Sequence, residues 1–181
     1  MRRNGNLVTI IEGTDGVGKT TFAEWFAKRS GGYYVHASAP THDDAGDEYL
    51  EPVLRYLEET NFSQHLVLDR WHIGEMVWPD IFGRESLFAK EGDPWELFDR
   101  LNRALAETGT VEVLFITRTH EGIRSTLRAR GESEEDIVRS LRGQTGLFDA
   151  AMSVRGLPVR VIDSDDLPTA PGLILNRRLF A

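Results

Sequence analysis

The chain has 181 residues, no cysteine and a net charge of −8, with 40% hydrophobic and 28% charged residues. That size fits one domain closed around a single core, and the composition excludes disulfides, thiolate metal sites and cysteine nucleophiles. No apolar run approaches the ~20 residues that span a bilayer, and the acidic balance argues against a general nucleic-acid-binding surface.

Met1-Arg2-Arg3 leads into a strand-length apolar run, Leu7 to Ile11. This argues against a signal peptide and, with the missing cysteines, predicts a cytoplasmic protein without a membrane partner. A glycine-rich turn follows. Thr20 to Ser30 places Phe22, Ala23, Phe26 and Ala27 on one helical face, and Gly31-Gly32 stops it. Tyr33 to Ala37 reads as a second strand that ends at Ser38-Ala39-Pro40, and Asp47 to Thr60 has helical spacing.

His65 to Asp69 is a third strand, apolar until its last residue. Asp80 to Asp93 reads as a loop, and Pro94 to Ala106 as a helix with proline in its first turn. Val111 to Ile116 is a fourth strand. One or two charged helices broken near Gly131 fill Glu121 to Val154, and Val159 to Asp163 is a fifth strand. The tail from Leu167 is weakly specified.

Strands apolar on both faces and alternating with helices predict an α/β fold, a three-layer doubly wound five-stranded parallel sheet in a single domain spanning 1–181. Ligands of such sheets lie outside the carboxyl ends of the strands. The chemically distinctive residues collect at that rim, in Gly13 to Thr20, Ser38-Ala39-Pro40, Asp69-Arg70, Thr117-Arg118 and Asp163 to Asp166.

Gly13-Thr14-Asp15-Gly16-Val17-Gly18-Lys19-Thr20 satisfies G-x-x-x-x-G-K-[ST] between a strand and a helix. Such a loop turns its backbone N–H groups toward an anion at a helix N-terminus. Gly13, Asp15, Gly16, Val17, Gly18, Lys19, Thr20 and Thr21 are therefore expected to hold ATP. Lys19 would reach the β- and γ-phosphates, and the Thr20 hydroxyl would ligate Mg2+. No Asn-Lys-x-Asp guanine reader follows a later strand, which favours a kinase over a GTPase.

An ionised carboxylate at the tip of a buried strand needs a cation or metal. Asp69 is placed to hold the magnesium water shell or to orient the attacking oxygen, and Arg70 to grip an acceptor phosphate. A structural ion pair is the plainer alternative.

Ile11-Glu12-Gly13-Thr14-Asp15-Gly16-Val17-Gly18-Lys19-Thr20-Thr21 followed by Asp69-Arg70-Trp71 resembles the thymidylate kinases, P-loop nucleoside monophosphate kinases that combine E-G-x-D-G-x-G-K-[ST]-T with D-R-[YFHW]. The resemblance implies transfer of the ATP γ-phosphate to dTMP or a related pyrimidine deoxynucleotide. It implies that Asp15 contacts the acceptor sugar, Arg70 its phosphate, and Trp71 fills the aromatic place of the pocket. Relatives of this kind are often homodimers.

Two departures stand out. Ala37-Ser38-Ala39-Pro40 lacks the arginine that often follows the second strand. Trp71-His72-Ile73-Gly74-Glu75 gives a D-R-x-H-x-G-E pattern that looks more like the compact bacteriophage members. His72 and Glu75, three apart, would share a helical face beside Arg70 and touch the acceptor; an ordinary pair at the edge of the core is the alternative. Trp78, Phe82, Phe88, Trp95 and Phe98 are spaced for packing, and Phe82 is also the candidate for stacking on an acceptor base.

Only Lys19, Lys28 and Lys90 of the 21 basic residues are lysine. Arg118, Arg124, Arg128, Arg130, Arg139 and Arg142 cluster in a segment, 118–142, that reads as a lid. Lid cations close over the migrating phosphate once water is excluded. The phosphate loop has no arginine, so the chain resembles the lid-arginine type, with a catalytic group among Arg124, Arg128 and Arg130. Interspersed Glu121, Glu132, Glu134, Glu135 and Asp136 make a solvated mixed-charge face the alternative. Arg118 would stack on adenine. Two further readings stay open: a same-fold kinase acting on a deoxynucleoside or a modified pyrimidine, free or in DNA, and an inactive ATP-binding regulator.

Overall fold

The computed structural model describes residues 8–36, 51–59, 64–86, 88–89 and 92–165. The expectations for Ala37 to Pro40, for Lys90, for Asp166 and for the tail fall outside them.

Five parallel strands, β1 (Val8–Glu12), β2 (Tyr33–His36), β3 (Leu66–Asp69), β4 (Val111–Thr117) and β5 (Val159–Asp163), form one sheet in the order β2-β3-β1-β4-β5. β1 lies at the centre, with Ile11 opposite Asp69 of β3 and Leu114 of β4. The register brings the ends of β1 and β3 side by side, so the phosphate loop and Asp69-Arg70 leave the sheet together. This is the crevice where doubly wound sheets take ligands.

Helices α1 (Lys19–Ser30), α2 (Glu51–Glu59), α3 (Trp78–Phe82), α4 (Pro94–Glu107), α5 (His120–Ala129) and α6 (Glu134–Met152) complete the described residues with a 3-10 helix at His72–Met76. Alternate strand residues split the core in two. Ile11, Val67, Leu114 and Ile116 pack against Phe22 and Phe26 of α1. Ile10, Leu68, Val113 and Phe115 pack against Phe98, Leu101 and Leu105 of α4. Helix α6 serves both, since Ile137 and Leu141 belong to the first cluster and Leu147, Ala150 and Ala151 to the second.

Three expectations are corrected. The segment read as a loop from Asp80 begins inside a helix, because Trp78 to Phe82 make one turn with Pro79 near its start and Gly83 left-handed (φ 63°) at its end. The outer strands are not buried on both faces: β2 and β5 are half-exposed edge strands. The aromatic series is only partly core, for Phe88 and Phe98 are buried whereas Trp95 and Phe82 are more than half exposed. The break near Gly131 is real, with φ 80° there and Ser133 capping α6 through the Asp136 N–H.

Candidate active site

β1 ends in a loop whose shape requires its glycines. At Gly13 (φ 145°) any Cβ would collide with the Ile116 carbonyl oxygen, and at Gly16 (φ 83°) it would lie 2.9 Å from Leu127 Cγ of α5. Gly18 (φ 92°) precedes α1, which has no side-chain cap on its first N–H groups. Those donors are free to face an anion. Val17 is buried and Thr21 exposed. Lys19 is buried and curls over the loop, donating to the Thr14 carbonyl at 2.6 Å and lying 3.6 Å from Asp15 Oδ1. Burial, with Arg70 nearby, pushes the ammonium down to about 8. The group is poised to gain from a phosphate.

β3 supplies the facing wall. Asp69 is fully buried, and its Oδ2 accepts from the Thr20 hydroxyl at 2.7 Å and the Tyr34 hydroxyl at 3.0 Å, with His36 Nδ1 at 2.9 Å. Burial and this carboxylate raise the Tyr34 phenol. Asp69 Oδ1 is buried with no hydrogen-bond partner among the described residues. Thr20 and Asp69 thus form an all-oxygen pair with one unsatisfied anionic oxygen, the donor set a hard divalent cation prefers.

Arg70 is the sole non-glycine residue of positive φ (69°) among the described residues. Its Nη2 donates to Asp15 Oδ1 across the crevice, and its buried Nε has no acceptor among the described residues. Burial pushes the Asp15 carboxyl up, but Lys19 and Arg70 outweigh it and hold it below its ordinary value. The structure therefore brings Asp15, Lys19, Thr20, Asp69 and Arg70 together.

The acceptor-side candidates separate. Trp71 is half-buried against the α4 side of the core. His72 and Glu75 lie on a 3-10 helix, whose three residues per turn keep them on one face, and both are buried. His72 Nε2 meets Asn102 Oδ1 at 2.9 Å and the ring packs on Phe98, so burial pushes it down to about 4. Glu75 is gripped by both terminal nitrogens of Arg84. Phe82 is exposed, with the Trp78 ring 5.7 Å away and the Arg139 guanidinium 5.9 Å from its centroid.

The arginines of segment 118–142 also separate. Leu127 of α5 sits on Gly16, and the Thr14 hydroxyl donates to the Ser140 carbonyl of α6 at 2.6 Å, so both helices lie on the phosphate loop. Arg128 is exposed and paired through two nitrogens with Glu134 at 2.8 and 3.3 Å. Arg139 is paired with Glu135 and Asp136. Arg130 and Arg142 are exposed. Arg124, half-buried beside Ile123, has no hydrogen bond or ion pair among the described residues. Arg118 is tied by its Nε to Asp165 at 2.7 Å and by its Nη1 to Thr126 at 2.5 Å, with its stem over Gly122.

Sequence reasoning passed over Glu12, Thr14, Tyr34 and His36. The signal for Glu12 was a carboxylate ending an apolar strand, the same signal that marked Asp69. Tyr34 and His36 reach Asp69 only because β2 pairs with β3, which no local pattern reveals.

The fold has counterparts among solved structures. The YorR protein from Bacillus subtilis, in complex with phosphorylated GDP, matches with a TM-score of 0.59 at 16% identity, over 89% of this chain and 88% of that one. Deoxyadenosine kinase from M. mycoides, with dCMP and dCDP bound, gives 0.51 at 16% identity over 87% and 91%. Thymidylate kinase from Candida albicans gives 0.55 at 17% identity over 88% and 83%. No protein-family model matches the sequence, and no curated protein sequence matches it. The chain has the fold of the P-loop nucleotide kinases, a five-stranded parallel sheet with flanking helices. Among the described residues no helix is long and apolar enough to cross a membrane.

Proposed function

We propose that the chain is an ATP-dependent phosphotransferase that moves the γ-phosphate to a nucleotide or nucleoside, with dTMP or a related pyrimidine deoxynucleotide as the acceptor favoured by the sequence resemblance. One observation carries the reading: the phosphate loop with Lys19 faces the Asp69-Arg70 strand tip across a crevice that Asp15 and Arg70 already bridge. The neighbouring folds support a kinase. The likeness to bacteriophage members rests on the Trp71 to Glu75 pattern alone.

In this reading the loop amides and Lys19 hold the donor phosphates, and Arg70 leaves Asp15 for the acceptor phosphate while Asp15 turns to the acceptor sugar. Thr20 and Asp69 would hold Mg2+, which neutralises charge on the donor phosphates when bound. Arg124 is the helix-borne cation assigned to the transition state, because Arg128 and Arg139 are already neutralised by carboxylates. Catalysis would come from positioning and charge, with no covalent intermediate.

A second reading, with a deoxynucleoside or modified-pyrimidine hydroxyl as acceptor, is favoured by His36 on Asp69. A hydroxyl must lose a proton as it attacks, whereas a phosphate acceptor is already ionised. An acceptor panel with radiolabelled ATP tests both. Turnover of dTMP supports the first reading, and turnover of nucleosides or hydroxymethyl pyrimidines alone supports the second. ATP binding with no acceptor-stimulated turnover would reject both in favour of a regulator.

A further inference from the structure

We infer that Glu12, at the end of β1, is a positioning residue that fixes the strained turn carrying Arg70 and so sets the reach of that arginine toward the acceptor; this rests on the reading of Arg70 as the acceptor-side cation. The parallel ladder between β1 and β3 makes its last bond from the Arg70 N–H to the Ile11 carbonyl at 2.9 Å. At the next residue the chain leaves the sheet, and the Trp71 N–H has passed the end of β1. Glu12 Oε1 accepts it at 2.7 Å.

Two features make this bond more than a cap. Arg70 at φ 69° holds a backbone conformation that a residue with a Cβ adopts only where its surroundings impose it. The turn is what swings the guanidinium back from the strand axis to Asp15. Glu12 is itself 1% exposed. Burial raises its carboxyl to about 7, opposed by the bond from Trp71 and by the charges of Lys19 and Arg70. A buried carboxylate is retained at such a cost only where it has partners. Its partner is the peptide N–H that locks the turn, and its field reaches both cations of the crevice.

The test compares Glu12→Ala with Glu12→Gln, which keeps a carbonyl oxygen for Trp71. The readouts are hydrogen exchange at the Trp71 amide, the KM for the acceptor, and the Kd for MgATP. Glu12→Ala should lose protection at Trp71 and raise the acceptor KM about 10-fold, the scale of one buried hydrogen bond, with the MgATP Kd within about 3-fold of the parent. Glu12→Gln should retain most of both. In an Arg70→Ala background Glu12→Ala should add nothing further to the acceptor KM. Unchanged protection and KM in Glu12→Ala would overturn the inference, as would Glu12→Gln impaired as deeply as alanine or an equal KM effect without Arg70. If Glu12→Ala does not fold, Glu12→Leu, of similar volume and without an acceptor, replaces it. Should the parent turn over no acceptor, the functional reading fails while the exchange measurement still decides the turn.

Discussion

Arg70 of the β3 tip and Asp15 of the phosphate loop form a direct ion pair across the crevice, both half-exposed and both carried on backbone fixed by other contacts. The two groups are both assigned to one acceptor. Arg70→Ala should raise the acceptor KM about 10- to 100-fold, the range of a lost charge-assisted bond, while the MgATP Kd changes less than about 3-fold. Steady-state kinetics with a separate nucleotide titration checks this. Equal losses in both would mean that Arg70 serves the donor.

Arg124, half-buried and without a hydrogen bond or ion pair among the described residues, gives a ranking. Arg124→Ala should lower kcat by about 10³-fold with little change in ATP affinity, as for other cations acting in a phosphoryl-transfer transition state. Arg128→Ala should lower it far less, because it is already neutralised by Glu134. Single-turnover measurements of the three variants at Arg124, Arg128 and Arg130 check the order.

His72 links stability to pH. Its ordinary value is 6.5 and burial takes it to about 4 in the folded chain. A depressed imidazole disfavours the proton in the folded state, so its contribution is full above pH 6.5 and is lost as pH falls toward 4. The loss between pH 7.5 and 5 should be about 2 kcal/mol. Urea unfolding at both pH values checks it, with His72→Gln flattening that part of the dependence.

Gly143 is where α6 crosses the Trp78 indole. A Cβ there would stand 2.5 and 2.6 Å from Trp78 Cη2 and Cζ3 and 3.3 Å from Thr14 Oγ1. Gly143→Ala should destabilise by about 1–3 kcal/mol, a typical cost of overpacking. A smaller ring in Trp78→Phe should recover part of it in the double variant. Thermal unfolding of the cycle is the measurement.

Much of the fold was legible because the strands are short apolar runs and the loop has a fixed spacing. Val8 to Glu12, Leu66 to Asp69 and Val111 to Thr117 lie within a residue or two of where hydrophobicity placed them. His72 and Glu75 share one face, as their spacing of three predicted, but the segment winds as a 3-10 helix and buries both, which depends on packing that no local pattern shows. Tyr34, His36 and Glu12 depend on strand order and on a side chain reaching a neighbouring backbone, which are long-range facts. The arginines could be counted but not ranked, since their ranking follows from which carboxylates stand beside them.

Helix α6 belongs to both halves of the core. Its rear half, from Leu147 to Ala151, is bolted beneath the sheet on the α4 side, and its front half rides on the phosphate loop through Ser140. Gly143 and Gly146, pressed on Trp78 and Val77, lie between the two like a fulcrum. One helix thus touches both the phosphate loop, through Ser140, and the segment that follows Asp69, through Gly143 and Gly146.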